Sequence, residues 1–140
     1  MTTIAYRDGV MASDTGESSG SVWVGSVDKI IKTGGLLVGA SGCVDACETC
    51  LNFFTEGGKV EDFKNTLSGD FEAVVTDGKR LWHTENKMKM YGIRASFFAM
   101  GSGMKIALGA MAMGANAKEA VEVACQFDKN SRGPVRSVKI

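Results

Sequence analysis

Residues 2–7 alternate and are rich in β-prone side chains, and residues 10–14 return as a second strand after Asp8-Gly9, the strongest two-residue hairpin signal. Residues 15–21 read as a Gly/Ser-rich loop, and short strands are expected over residues 22–24, 27–32 and 36–41, separated by glycines. The period then changes. Val44, Cys47, Leu51 and Phe54 recur at helical spacing, and Gly57-Gly58 ends that helix with residues that tolerate positive φ. Residues 60–67 suggest a short second helix or turn. Asp77-Gly78 joins strands over residues 71–76 and 79–83, and residues 95–100 form a further apolar strand. Gly101-Ser102-Gly103 breaks that strand before a helix whose face carries Ile106, Ala110 and Met113. Asn116 caps a last helix with Ala120, Val121, Val123, Ala124 and Phe127 on its apolar face, and residues 135–140 return as a strand.

Strands, a helix, strands, two helices and a strand group as α+β with antiparallel sheets rather than as alternating βαβ units. The 140 residues amount to one domain, 1–140, able to bury roughly two-thirds of its unfolded surface around its core. Hydrophobic residues at 44% and charged residues at 23% are ordinary for a folded soluble protein. Sixteen basic and sixteen acidic side chains cancel and are scattered, which argues against a nucleic-acid partner. No apolar run approaches the ~20 residues of a membrane span, and the first residues lack a secretory signal, so the expected setting is cytoplasmic with no membrane partner.

Cys43, Cys47, Cys50 and Cys125 are too few and too clustered for a disulfide framework and read as reduced thiols. The first three sit at i, i+4 and i+7 on the first helix. At a rise of ~1.5 Å per residue the outer two lie ~10.5 Å apart along the axis, too far to converge on one zinc ion with ~2.3 Å bonds. They are better read as small core-facing hydrophobes. Gly101-Ser102-Gly103 fits neither GxGxxG nor GxxxxGK[ST], although a strand-to-helix turn still gathers backbone N–H groups that can hold an anion or carbonyl. His83, the sole histidine, stands between Trp82 and Thr84 with no nucleophile motif nearby and reads as an ordinary surface or partly buried histidine. A hydroxyl nucleophile would need another base. If Met1 is removed, Thr2 carries a free α-amine with an unperturbed pKa of ~7.7–8.0, well suited to accept a proton at neutral pH.

Six segments taken in order, Thr2-Thr3-Ile4, Asp8-Gly9-Val10-Met11-Ala12-Ser13-Asp14, Val27-Asp28-Lys29-Ile30, Gly39-Ala40-Ser41-Gly42, Met100-Gly101-Ser102-Gly103 and Asp128-Lys129-Asn130-Ser131, resemble proteasome β subunits and the bacterial HslV peptidase over nearly the full chain. The resemblance implies a four-layer αββα sandwich of two antiparallel sheets, the N-terminal-nucleophile hydrolase fold. It implies a threonine endopeptidase with Thr2 as nucleophile, Lys29 as the buried cation beside the terminal amine, and Asp14 as the carboxylate that holds Lys29. Gly42 would face the developing oxyanion with its N–H, and Ser102, Asp128 and Ser131 would orient the amine and relay protons. Val27, Ile31 and Ala40 would line a small apolar specificity pocket. The chemistry calls for no cofactor and no metal. The implied partners are protein or peptide substrates, further copies of the chain in stacked homo-oligomeric rings, and an AAA+ unfoldase.

The chain is shorter than the usual family member, so ring contacts and unfoldase docking surfaces do not carry over. With nothing preceding Met1, the expected processing is simple methionine removal, which the small Thr2 side chain favours. The residues leave open a catalytically inactive ring subunit of the same fold, and an N-terminal-nucleophile amidohydrolase acting on small amides.

Overall fold

The computed structural model describes residues 2–140. A hairpin of β1 (Thr3–Arg7) and β2 (Val10–Ser13) opens the chain, and its turn residues Asp8 (φ 51°) and Gly9 (φ 79°) both adopt the positive φ that a type I′ turn requires. β10 (Phe97–Gly101) pairs with β1, and β11 (Arg136–Lys139) with β2, giving a four-stranded sheet in the order β10-β1-β2-β11. The second sheet runs β5 (Ile30–Thr33), β6 (Leu36–Gly42), β7 (Phe71–Thr76), β8 (Leu81–Glu85) and β9 (Tyr91–Ile93). All these pairings are antiparallel. A separate ribbon of β3 (Gly16–Ser19) and β4 (Val22–Ser26) occupies much of the segment whose polar composition reads as loop.

The pleat decides which layer each side chain joins. Ile4, Tyr6 and Met11 from the first sheet and Ile30, Leu37, Val74 and Leu81 from the second point inward and form the core between the sheets. Each large apolar side chain fully buried there contributes roughly 1.5–3 kcal/mol. On the other face of the first sheet stand the small Ala5, Ala12 and Ala99. Small side chains allow close approach of α2 (Met104–Ala112) and α3 (Ala117–Phe127), which bury Ala107, Met111, Ala117, Ala120 and Val121 against them. On the outer face of the second sheet α1 (Val44–Thr55) buries Ala46, Cys50 and Phe54 at intervals of four residues, against Val38, Ala40, Ala73 and Val75. Helix, sheet, sheet, helix is the αββα sandwich that the resemblance implies.

Asn116 caps α3 as its position predicts: its side chain accepts from the Glu119 N–H while Glu119 accepts from the Asn116 N–H. The segment after α1 forms only one 3-10 turn, Val60–Asp62, in place of a helix. Phe63 then turns into the α1 cluster, and the Asn65 side chain bonds the Leu67 N–H and the Asn86 carbonyl, doing what helical backbone bonds would otherwise do. Among the described residues no helix is long and apolar enough to cross a membrane.

Candidate active site

β1 and β10 run side by side so that Thr3 stands opposite Gly101, which brings the start of the chain against the turn between β10 and α2. The contact is close. A Cβ on Gly101 would lie 2.0 Å from the Thr2 carbonyl oxygen, and one on Gly103 would lie 2.0 Å from Thr3 Oγ1. Gly101 also has φ +93°, so both space and backbone require glycine. The Gly-Ser-Gly pattern is therefore a seat for residues 2 and 3. Thr2 and Thr3 are both buried in it.

Asp14, just beyond β2, and Lys29, just before β5, meet beneath that seat. Lys29 Nζ donates to Asp14 Oδ2 at 3.0 Å and to the Gly16 carbonyl at 2.8 Å. Asp14 has no exposed surface and Lys29 retains 7%. Two buried charges of opposite sign are tolerable because each is hydrogen-bonded as well as paired. The carboxylate also accepts from the Thr3 N–H at 2.9 Å and the Arg132 N–H at 3.1 Å. One carboxylate thus ties the lysine, the start of β1 and the loop before β11 into a single unit.

A second network approaches from the end of α3. The Asp128 carboxylate accepts from Ser131 Oγ and from Ser102 Oγ, each at 2.6 Å, and from the Asn130 N–H at 3.3 Å. Burial alone would raise the Asp128 carboxyl, but these three donors outweigh it and hold the group below the usual carboxylate value. Since the single proton of Ser131 is given to Asp128, Thr3 Oγ1, 2.6 Å from Ser131 Oγ, is the donor in their bond. Ser102 Oγ also lies 3.2 Å from the Thr2 carbonyl oxygen. The hydroxyls of Thr3, Ser131 and Ser102 are therefore aligned toward one anionic oxygen.

Thr3 joins the Asp14–Lys29 pair to the Ser102–Asp128–Ser131 network, and Thr2 meets that network through its carbonyl oxygen at Ser102. Gly42 ends β6 with φ +115°, and a Cβ there would lie 2.2 Å from the Asp70 carbonyl oxygen. Ala40 and Ile31 pack into the cluster under α1, whereas Val27 lines a different groove with Thr15, Asp28 and Arg136. Met1 lies outside the described residues.

Three members were not singled out from the sequence: Thr3, whose amide and hydroxyl serve both networks, and the backbone groups of Gly16 and Arg132. The only signal for Thr3 was its place beside Thr2. The cysteines go where their reading as core-facing residues puts them. Cys43 is the N-cap of α1, Cys47 is half-buried and Cys50 fully buried in the cluster below it. Burial pushes the Cys47 thiol up to about 11, with nearby Cys43 adding to the rise and the Lys29 ammonium opposing it. His83 is more deeply placed than its sequence context suggests. Its side chain is 4% exposed, with Nε2 at 2.7 Å from Glu72 Oε2 and Nδ1 at 2.7 Å from the Tyr91 hydroxyl.

No family model and no curated protein matches the sequence. Solved structures do match the fold. Thiobacillus denitrificans BPH in complex with epoxomicin superposes with a TM-score of 0.74 at 21% identity, covering 99% of this chain and 97% of that one. BPH of the same organism in a further structure gives 0.72 at 19% identity, covering 99% and 96%. Eukaryotic HslV from Trypanosoma brucei gives 0.71 at 13% identity and full coverage of both chains. From end to end, the chain has the αββα fold of the HslV-type structures.

Proposed function

We propose that the chain is a threonine endopeptidase subunit of a self-compartmentalised ring assembly that cleaves protein or peptide substrates. Thr2, freed of Met1, is the nucleophile. Its α-amine takes the hydroxyl proton as Oγ attacks the scissile carbonyl carbon, and the proton then passes to the leaving amine as the peptide C–N bond breaks. Water hydrolyses the resulting ester and regenerates Thr2. The Lys29 ammonium lowers the proton affinity of the neighbouring amine, and Asp14 keeps that charge in place. The Gly42 N–H faces the oxyanion, a donor worth ~2.7–4 kcal/mol of transition-state stabilisation. Ser102, Ser131 and Asp128 orient the amine and relay protons, and Ile31 and Ala40, without Val27, select small to medium apolar residues before the cut.

The observation that carries this reading is the buried Lys29–Asp14 pair whose carboxylate also grips the amide of Thr3, the residue next to the nucleophile. That ties a fixed cation to the first residues of the chain. The epoxomicin complex of BPH, a protein of the same fold, supports it further. Met113 and Phe127, 90% and 73% exposed at the ends of α2 and α3, offer apolar surface for neighbouring copies in a ring. The working assembly is cytoplasmic and fed by an AAA+ unfoldase.

Peptide hydrolysis by Met1-free protein tests the proposal. Thr2→Ala and Lys29→Ala each abolish turnover while sedimentation of the assembly is unchanged. Full turnover in either variant would overturn the role assigned to that residue.

A further inference from the structure

Beyond the peptidase reading and independently of it, we propose that Glu72, His83 and Glu85 bind one divalent transition-metal ion of the zinc class where β7 begins and β8 ends in the second sheet. The inward-facing row of β7 and β8 runs from apolar to charged: Val74 stands opposite His83, and one pleat further on Glu72 stands opposite Glu85. Two carboxylates directly opposed across a strand pair repel each other, a destabilising pairing that a shared cation turns into an attractive one. His83 lies on the same face, diagonal to Glu72. Their ligand atoms, one from each residue, all lie within 4.8 Å of one another.

The surroundings of the imidazole are those of a metal ligand. It is held on one side by the Tyr91 hydroxyl and on another by the Phe98 ring, whose centroid is 5.2 Å away. A carboxylate only accepts, so Nε2 donates to Glu72, and the Tyr91 hydroxyl pairs with Nδ1. On binding, Nε2 gives up that proton to solvent and coordinates the ion. With the ion on Nε2, the proton of the neutral ring sits on Nδ1 and is donated to Tyr91, whose hydroxyl serves in either role. An outer partner that fixes the ring in this way is the usual companion of a ligating histidine. One nitrogen and two carboxylates make a neutral site for a divalent ion, and solvent at the exposed Glu85 side supplies the fourth position of a tetrahedron. Imidazole in the set favours zinc, nickel, copper or iron over calcium and magnesium.

The bound ion braces the fold. It joins β7 to β8 directly and holds β9, a strand of only three residues, through Tyr91. Glu72 is in register with Ser41, the residue before Gly42, so the brace lies beside the end of β6.

Calorimetric titration of the metal-free full chain with Zn2+, and optical titration with Co2+, test the proposal. Expected are one equivalent of bound metal, a Co2+ spectrum without thiolate charge-transfer bands, and a rise in Tm of a few degrees or more at saturating Zn2+. Glu85→Gln, at an exposed position, weakens binding by at least about tenfold and Tyr91→Phe by about tenfold, while Cys47→Ser leaves it unchanged. These variants decide the matter even if His83→Gln fails to fold. The proposal is overturned by the absence of saturable binding below ~1 mM Zn2+, by undiminished affinity in Glu85→Gln, or by thiolate bands lost in Cys47→Ser.

Discussion

Replacing Asp14 by Asn leaves the shape of the site and removes its charge. Asp14 is wholly buried and receives three donors, from Lys29, Thr3 and Arg132, on its two oxygens. An asparagine has one acceptor oxygen, so at least one donor faces an NH2 group and the Lys29 ammonium loses its counter-charge. Breaking a buried pair from one side costs about 3–5 kcal/mol, because the remaining ion stays in low dielectric. Removing both charges in Lys29→Met with Asp14→Asn avoids that orphaned ion. The double variant therefore costs less than the sum of the singles, with a coupling energy of about 1–3 kcal/mol. Urea unfolding at one fixed protein concentration measures this. Costs that add within ~0.5 kcal/mol would refute the argument that the two groups form one buried unit. The double variant, although folded, is expected to cleave no peptide.

Three further outcomes follow from the same geometry. Gly42→Ala must hold alanine at φ +115° against the Asp70 carbonyl, so it destabilises by about 1–3 kcal/mol in thermal unfolding and lowers kcat for peptide cleavage more than it raises KM. Carbon-detected NMR titration should find the Asp128 carboxyl ionising below the ordinary aspartate value of ~3.9, and Ser102→Ala or Ser131→Ala should raise it. Because that folded-state value is lowered, the stability it contributes is present above ~3.9 and is lost as pH falls through the folded value. Burial raises Cys47 and Cys125 to about 11 and Cys50 to about 12, so native-state alkylation at neutral pH should leave all three thiols intact. Their contribution to stability falls as pH rises above 9.0, when the unfolded chain ionises and the folded one does not.

Elements with a clear period or a specific terminus were legible in the sequence: the Asp8-Gly9 turn, the existence of α1, and α3 behind the Asn116 cap, although the buried face of α1 is Ala46, Cys50 and Phe54, and Val44 of the expected face is exposed. β4 covers the strand expected over residues 22–24, but its partner β3 was not legible, because Gly-Glu-Ser-Ser has no apolar face to alternate and pairs with residues that remain largely exposed. β9 is too short for any period to show. At the site, composition makes Asp14 and Lys29 two charges among thirty-two. Only the resemblance singled them out, and only the fold shows that their pairing also secures the Thr3 amide. His83 was misjudged in depth for a related reason. Its burial comes from Tyr91 and Phe98, which local sequence does not connect to it.

Intact mass and peptide mapping of Met1-free protein after treatment with epoxomicin test the central claim most directly. The account predicts one adduct per chain, carried by the peptide that begins at Thr2 and absent from Thr2→Ala. A folded, assembled protein that gains no mass, or an adduct mapped to Cys47 or any other residue, would contradict it.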